Sequence, residues 1–514
     1  VILTEDRLRE FVDYSLKQDA VFFDIETTGP NRGVPHLNTA CWLGLATHGH
    51  AVSIPHGHPI GTKVIDTRRE PRLCNDGKTR NYKVPVYEAP PPQLTTDLVY
   101  DITRPIFESE RISKVAHDAS FDLASTAKYL GGVASRPYEC NIVLDWILNE
   151  NRHAYGLKVR TKQAYGVAYD KDNTGRRVEK FPFADVAHYV YMDVKYGWML
   201  YQRHRPGIER EGLEDIYGLE LDILEVMVSM RLRGAAVDVP RIEALREEMG
   251  ARLEVSTGKV YAAAGKRFNI NSGQQKQQLL WGPKSAGGQG LKPWKLTDSA
   301  RERKKKGAQT SFGPKDYSTD AESLESFPRN PLATELLGYQ EINKLLSTYI
   351  LGWLGDPDND KPCLIFDGRI HANFVQYGAR TGRFSCREPN LQNIPRSGTE
   401  LGKLIRDAWI APPGYKLIVA DYGQIELVVL AHFIGRGKLF DGFLAGIDPH
   451  TTTAAGVLGI DPATVTPDQR QKLGKSLNFA VVFGAMEKKL ASMIGCSERE
   501  AGGFMGDHEE EFPE

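Results

Sequence analysis

Two acids stand two residues apart in Phe23-Asp-Ile-Glu-Thr-Thr-Gly29, inside the apolar run from Val21 to Thr28. Alternate residues of a strand face the same side, so Asp24 and Glu26 project together. Paired carboxylates on a buried strand repel each other unless something positive lies between them, and a divalent cation is the usual answer. Taken alone, the pair also fits an exposed strand edge with two solvated acids. A second constellation lies near the other end. Tyr415 to Phe433 reads as strand, turn and helix, with Asp421 where the apolar strand ends. Downstream, Lys475, Phe479 and Phe483 fall within an arc of about 80° at about 100° per helical residue. An acid at a strand end together with a cation and two aromatics on one helix face suits a site that holds a metal-bound nucleoside triphosphate.

The elements that must carry these residues can be read in outline. At 514 residues the chain is too long for one core. Its 41% hydrophobic and 25% charged residues are ordinary for a soluble protein, and no apolar run approaches a membrane span. Nothing at the start resembles a signal peptide. Six scattered cysteines without a CxxC pair argue against a structural zinc site or a disulfide framework, and favour a reducing cytoplasm. A net charge of −1 means that any nucleic-acid binding comes from local patches. One candidate runs from Lys266 to Lys315, where many basic residues face only Asp298 and Glu302; it reads either as a phosphate track or as a solvated loop.

Residues 1 to about 205 alternate strand-like and helical runs, an α/β pattern interrupted by a polar, Pro-rich stretch from His56 to Gln93 that reads as a surface insertion. From Gly212 to Ala264 the period is helical, with Leu219, Ile223, Val226, Met230 and Leu232 as one apolar stripe and Gly234 as its stop. A second helical run covers Pro331 to Leu354. Thr466, Pro467 and Gln469 form a capping-box signature ahead of Lys475, and Gly484 is a stop.

Two more segments join the first acid pair: His117-Asp-Ala-Ser-Phe-Asp122, and Tyr189-Val-Tyr-Met-Asp193, whose i, i+4 spacing on a helix sets a phenol beside a carboxylate. Together these resemble the DEDD-type 3′-5′ exonucleases of the YxxxD subclass. The resemblance implies that Asp24, Glu26, Asp122 and Asp193 hold two metal ions and that Tyr189 orients the attacking water. Asp118 departs from the pattern, which ordinarily has Asn there, and the additional carboxylate is expected to perturb metal affinity or DNA grip and to lower the exonuclease rate.

From about residue 212 onward the chain resembles the family A DNA polymerases. The motifs are Phe268 to Leu280, Lys344-Leu-Leu-Ser-Thr-Tyr349, Arg380-Thr-Gly-Arg-Phe-Ser385, Pro389-Asn-Leu-Gln-Asn-Ile-Pro395, and the Asp421 and Lys475 segments. Arg383 offers a fork of donors, while Asn390, Gln392 and Asn393 both donate and accept, which suits the minor-groove acceptors that every base pair displays. The resemblance implies DNA contacts for Arg380, Arg383, Asn390, Gln392, Asn393 and Lys344. It makes Asp421 the first catalytic acid, with Tyr422 offering a carbonyl and Glu426 crowding a ribose 2′-OH. Lys475 would meet the triphosphate, Phe479 the sugar and Phe483 the template base, with Gln424 and His432 also at the nucleotide. Gly423, Val428, Phe483 and Gln471 depart from the usual Ser, Arg, Tyr and Arg. On an α-helical wheel Arg470 points about 140° from Lys475 and Lys472 about 60°, so Lys472 is expected to supply the missing phosphate charge.

The expected fold is multidomain α/β and α+β: an RNase H-like exonuclease domain (1–207), then a right-hand polymerase with thumb and N-terminal palm (208–368), palm with the first catalytic Asp (369–440) and fingers (441–514). Template-directed DNA synthesis with 3′-5′ proofreading is the expected function. The cofactor would be Mg²⁺ or Mn²⁺, two ions per site. Primer-template DNA and dNTPs are the expected partners, with any processivity factor unidentified, no membrane and a monomeric, cytoplasmic protein of phage or bacterial origin. Asp507-His-Glu-Glu510 resembles the family's second acidic motif superficially but reads as helical fingers surface. The chain therefore reads as a fragment of a longer frame, or as one part of a split polymerase, expected to extend primers poorly alone. Two rivals stay open, a stand-alone 3′-5′ exonuclease and a catalytically silent nucleic-acid-binding protein.

Overall fold

Val21, Phe22, Phe23 and Ile25 leave strand β1 (Ala20–Thr28) apolar on both faces, which is stable only at the middle of a covered sheet. The computed structural model, which describes residues 1–29, 34–73, 79–170, 173–356 and 361–512, has it there. Antiparallel β2 (Thr39–Thr47) and β3 (His50–Pro55) lie on one side of β1, and the chain then makes a hairpin of β4 (Val64–Leu73) and β5 (Thr79–Tyr87). On the other side β6 (Ser113–Ala116) and β7 (Tyr138–Cys140) run parallel, giving the order β3-β2-β1-β6-β7 of an RNase H-like mixed sheet. The polar insertion between His56 and Gln93 is thus a paired hairpin, because so long an excursion must bond its own backbone groups. Residues 74–78 of that insertion lie outside the described residues.

Helices α1 (Ala119–Leu130) and the 29-residue α4 (Phe183–Glu211) lie against the sheet, and α2 (Asn141–Leu148) and α3 (Leu157–Tyr165) pack on α4. Gly197 lets α4 come down onto β1: a Cβ there would sit 2.1 Å from the Phe22 ring. Helix α5 (Glu214–Arg233) follows, and its expected apolar stripe is not the face it buries. Leu219 and Val226 are 52% and 58% exposed, whereas Tyr217, Leu224 and Val228 join the core of the N-terminal sheet. The helix is apolar on more than one side, so its own pattern does not select a face; the surface it meets does. Gly234 stops it at φ 62°.

Beyond β8 (Ala235–Ala236), α6 (Val239–Ala264), α7 (Gly273–Trp281) and α8 (Pro331–Lys344) pack around Val260, Leu280, Leu332 and Leu336. A π-helical turn, Leu345–Ile350, carries α8 onward into a separate core with Leu245, Met249, Trp353 and Ile405. Small strands β9 (Ile365–Phe366) and β10 (Arg369–Ile370) pair beside β8, and β11 (Asn373–Val375) forms a hairpin with β12 (Ser385–Arg387).

The chain divides into two compact units, Val1–Tyr415 and Lys416–Glu514. The second contains α9 (Ile425–Ile434), α10 (Pro449–Leu458), α11 (Ser476–Val482), α12 (Glu487–Ile494) and α13 (Glu498–Glu511) around Leu477, Ala480, Leu490 and Ala501. The strand expected before Asp421 does not form, and Ile418 and Val419 are 91% and 93% exposed. A strand needs a hydrogen-bonding neighbour, and among the described residues none pairs with 416–421. No described helix is long and apolar enough to cross a membrane.

Candidate functional site

Asp24 and Glu26 share one face of β1, and α4, seated close by Gly197, brings Asp193 to them. One oxygen from each of the three acids lies within 4.8 Å of the others. Asp122 enters from α1 and is buried. On β1, strand β6 reaches only Ala20 to Phe22, and farther along β1 the Ile25 N–H donates to Asp122 Oδ1 at 3.2 Å. Burial, helped by the charge of Asp193 and opposed by that of Lys158, pushes the Asp24 carboxyl up to about 7. Burial and neighbouring acids hold Glu26 and Asp122 well above the carboxylate range. Asp24 Oδ2 is buried without a hydrogen bond. Hard oxygen donors gathered at this cost fit a divalent cation, whose charge would reverse those shifts.

Tyr189 stands one turn before Asp193 on α4, within hydrogen-bonding reach of Glu26. Two residues here were missed in the sequence. Lys158 on α3 donates to the Tyr189 hydroxyl at 2.8 Å and pairs with Asp193 Oδ2, and the Tyr169 hydroxyl donates to Asp193 Oδ1 at 2.5 Å. Neither belongs to a spaced motif, so only the packing of α3 and of the following segment against α4 reveals them. Asp118, just ahead of α1, faces Arg231 and lies 3.5 Å from the Tyr377 hydroxyl, while its charge raises Asp122 further.

In the same unit Lys344, Asn390 and Asn393 come together. With Thr348, Tyr349 and Trp353 they line a cleft of about 420 Å³, and the Tyr349 hydroxyl donates to the Asn393 carbonyl. Asn390 Oδ1 accepts from the Gln392 N–H at 3.0 Å, and Gln392 Nε2 donates to the Phe384 carbonyl at 3.1 Å. Arg380 and Arg383 are exposed on the loop between β11 and β12 and are not part of that cleft. The basic stretch from Lys266 to Lys315 is partly neutralised by acids just beyond it. Lys295 pairs with Asp320 at 2.6 Å and Glu322 at 2.5 Å, and Arg303 with Asp316 at 2.7 Å. The count over that window overstated its free charge.

In the second unit the Phe479 and Phe483 rings stack 5.8 Å apart at 2°, and Lys475 Nζ lies 5.9 Å from the Phe479 centroid. The row begins behind the capping box, where Thr466 accepts from the Gln469 N–H. Between them Arg470–Lys475 is π-helical, so the α-helical wheel fails here: i→i+5 bonding stacks Arg470 toward Lys475 instead of about 140° away. Arg470 is nevertheless committed, with its guanidinium donating twice to Asp448 at 2.7 and 2.8 Å, while Lys472 is exposed and pairs with Asp468 at 3.0 Å. Gln424, at φ 56° before α9, also donates to Asp448. Asp421, Tyr422 and His432 are exposed and Glu426 is half-buried. The Asp507–Glu510 segment is helical as expected, and Asp507, Glu509 and Glu510 are exposed. His508 departs from the surface reading: it is buried, with Nε2 2.7 Å from Asn478 Oδ1.

The family pattern described as 3′-5′ exonuclease matches residues 83–209, and that of DNA polymerase family A matches residues 239–514. DNA polymerase I of Chloroflexus aurantiacus is 33% identical over 80% of this chain and 42% of its own length. The Treponema pallidum enzyme is 29% identical over 98% of this chain and 49% of its own. The chain thus spans less than half the length of these relatives. A solved POL domain of Pol1 from M. smegmatis, in complex with DNA primer-template and dNTP, has the same fold at TM-score 0.71 and 21% identity, over 100% of this chain and 76% of that one. Since the polymerase pattern takes in more than half of its residues, the chain belongs to DNA polymerase family A.

Proposed function

We propose that this chain carries a 3′-5′ proofreading exonuclease together with primer-, template- and nucleotide-holding parts of a DNA-directed DNA polymerase. The approach of Asp24, Glu26 and Asp193 to within 4.8 Å beside Tyr189 carries the reading. We assign residues 1–207 to the exonuclease, 208–368 to thumb and first palm segment, 369–440 to palm and 441–514 to fingers. Mg²⁺ or Mn²⁺, two ions at each site, would activate the attacking oxygen and stabilise the leaving one.

In the exonuclease, Asp24, Glu26, Asp122 and Asp193 would hold the ions. Tyr189 would orient the water that attacks the terminal phosphorus; the P–O3′ bond breaks, the upstream 3′ oxygen takes a proton, and a deoxynucleoside monophosphate leaves. In synthesis the primer 3′ hydroxyl would attack the α-phosphorus of a dNTP at Asp421 and expel pyrophosphate. Lys475 and Lys472 would hold the triphosphate, Phe479 the sugar, Phe483 the template base, and Glu426 would exclude a 2′-OH. The bidentate tie of Arg470 to Asp448 supports Lys472 in that role. Arg380, Arg383, Lys344, Asn390, Gln392 and Asn393 would grip the primer-template.

The test is monophosphate release from 3′-labelled single-stranded DNA with Mn²⁺, followed by primer extension with dNTPs. Metal-dependent release is expected. A chain that binds DNA without degrading it would overturn the exonuclease reading in favour of a silent binding protein.

A further inference from the structure

Lys158 places a cation inside a group of acids proposed to hold cations, and its backbone is firmly placed. It sits in the first turn of α3, between buried Leu157 and Arg160, whose guanidinium is tied to buried Asp145 on α2 at 2.5 Å. From there Nζ reaches the Tyr189 hydroxyl at 2.8 Å and Asp193 Oδ2, and lies 4.4 Å from the Tyr189 ring centroid. The side chain is 35% exposed, while the ammonium itself is engaged by the Tyr189 hydroxyl and Asp193.

We infer that Lys158 is a positioning residue of the exonuclease site, which fixes the rotation of the Tyr189 hydroxyl and sets how tightly Asp193 holds a divalent ion. The inference rests on the exonuclease reading given above. A phenol has one proton and two lone pairs. When an ammonium donates into one lone pair, the O–H is directed away from Nζ, toward the acids and the water they hold. The same charge competes with divalent ions for Asp193, because an ammonium and a metal ion seek the same oxygen. Lys158 therefore favours the rate while it weakens the metal, and these two effects separate it from a residue that only supports the fold.

Lys158→Met in the full chain is the test, with Lys158→Arg as a charge-retaining control and circular dichroism to compare folding. Mn²⁺ binding without DNA is measured by calorimetry, and kcat and KM for monophosphate release are measured on single-stranded DNA. Lys158→Met is expected to bind Mn²⁺ about 3- to 10-fold more tightly. Its kcat should fall about 10-fold or more at unchanged KM, with Lys158→Arg in between. A kcat within about twofold of the starting chain, or Mn²⁺ affinity falling together with kcat, would overturn the inference. A starting chain that releases no monophosphate would instead overturn the exonuclease reading, and unchanged or weaker Mn²⁺ binding in Lys158→Met would still refute the role given to Lys158.

Discussion

The acids of the N-terminal sheet and the residues of the second unit proposed to hold a nucleotide are placed in opposite ways. Asp24, Glu26, Asp122 and Asp193 are anchored by strand pairing, by a backbone N–H and by a helix that reaches the sheet through Gly197. Their mutual repulsion is tolerated because the framework is rigid, and burial raises the carboxyls that a metal would lower. In the second unit Lys475, Phe479 and Phe483 stand on one helical face, while Asp421 lies on an exposed segment that, among the described residues, pairs with no strand. Hydrolysis of a phosphodiester needs ligands preset to fractions of an ångström, which a sheet core supplies. Handling a nucleotide begins with a cation and flat apolar surfaces, which one helix can offer.

The largest effect expected to sharpen this contrast is Asp24→Asn, which should lower monophosphate release about 1000-fold while leaving dNTP binding unchanged. Loss of both would mean that the two sites are not separable. Next come two glycines that set close approaches, one in each region. Gly197→Ala drives a methyl into Phe22, and Gly474→Ala drives one to 1.9 Å from the His450 carbonyl. Each is expected to lower stability by about 1–3 kcal/mol in thermal or urea melts. Gly197→Ala should also slow the exonuclease, and Gly474→Ala should weaken dNTP binding; exchanged effects would break the comparison.

Smaller is the difference between Lys472→Ala and Arg470→Ala. The first is expected to lose about 10-fold in dNTP affinity and the second less, since Arg470 is bound to Asp448. A larger loss for Arg470→Ala would move the phosphate contact to that residue. The smallest effect concerns acid. Burial alone would raise Asp448, but hydrogen bonds from Arg470, Thr451 and Gln424 outweigh it and hold the carboxyl below its ordinary 3.8. Its contribution is therefore complete above that value and is lost as pH falls through the lower native pKa. Partial exposure of the pair keeps the effect modest. Below about pH 3.8 the Asp448→Asn variant should lose less further stability in urea titrations than the starting chain; parallel loss would remove Asp448 as the cause.

Where a local rule governed, the reading held. Alternation along β1 placed Asp24 and Glu26 on one face, i, i+4 spacing joined Tyr189 to Asp193, and the capping box opened the Lys475 segment. Where the outcome depended on a neighbour, it did not. The apolar stripe of α5 named the exposed side, because a helix apolar on several sides takes its buried face from the surface it meets. The run before Asp421 has strand character without a strand, because pairing needs a second chain segment. A π-turn shifted the phase that an α-helical wheel assigned to Arg470.

Side-chain type and spacing along the chain singled out Asp24 with Glu26, Tyr189 with Asp193, and the cation with its two aromatics as candidates, and the family resemblance added Asp122. Only the tertiary structure decided that Lys158 and Tyr169 join the acids, that Arg470 is spent on Asp448, and that Asp118 faces Arg231 and Tyr377. Periodicity is a property of one segment and can be read from it. A contact between segments far apart in the chain depends on how both pack, and no single stretch of sequence encodes that.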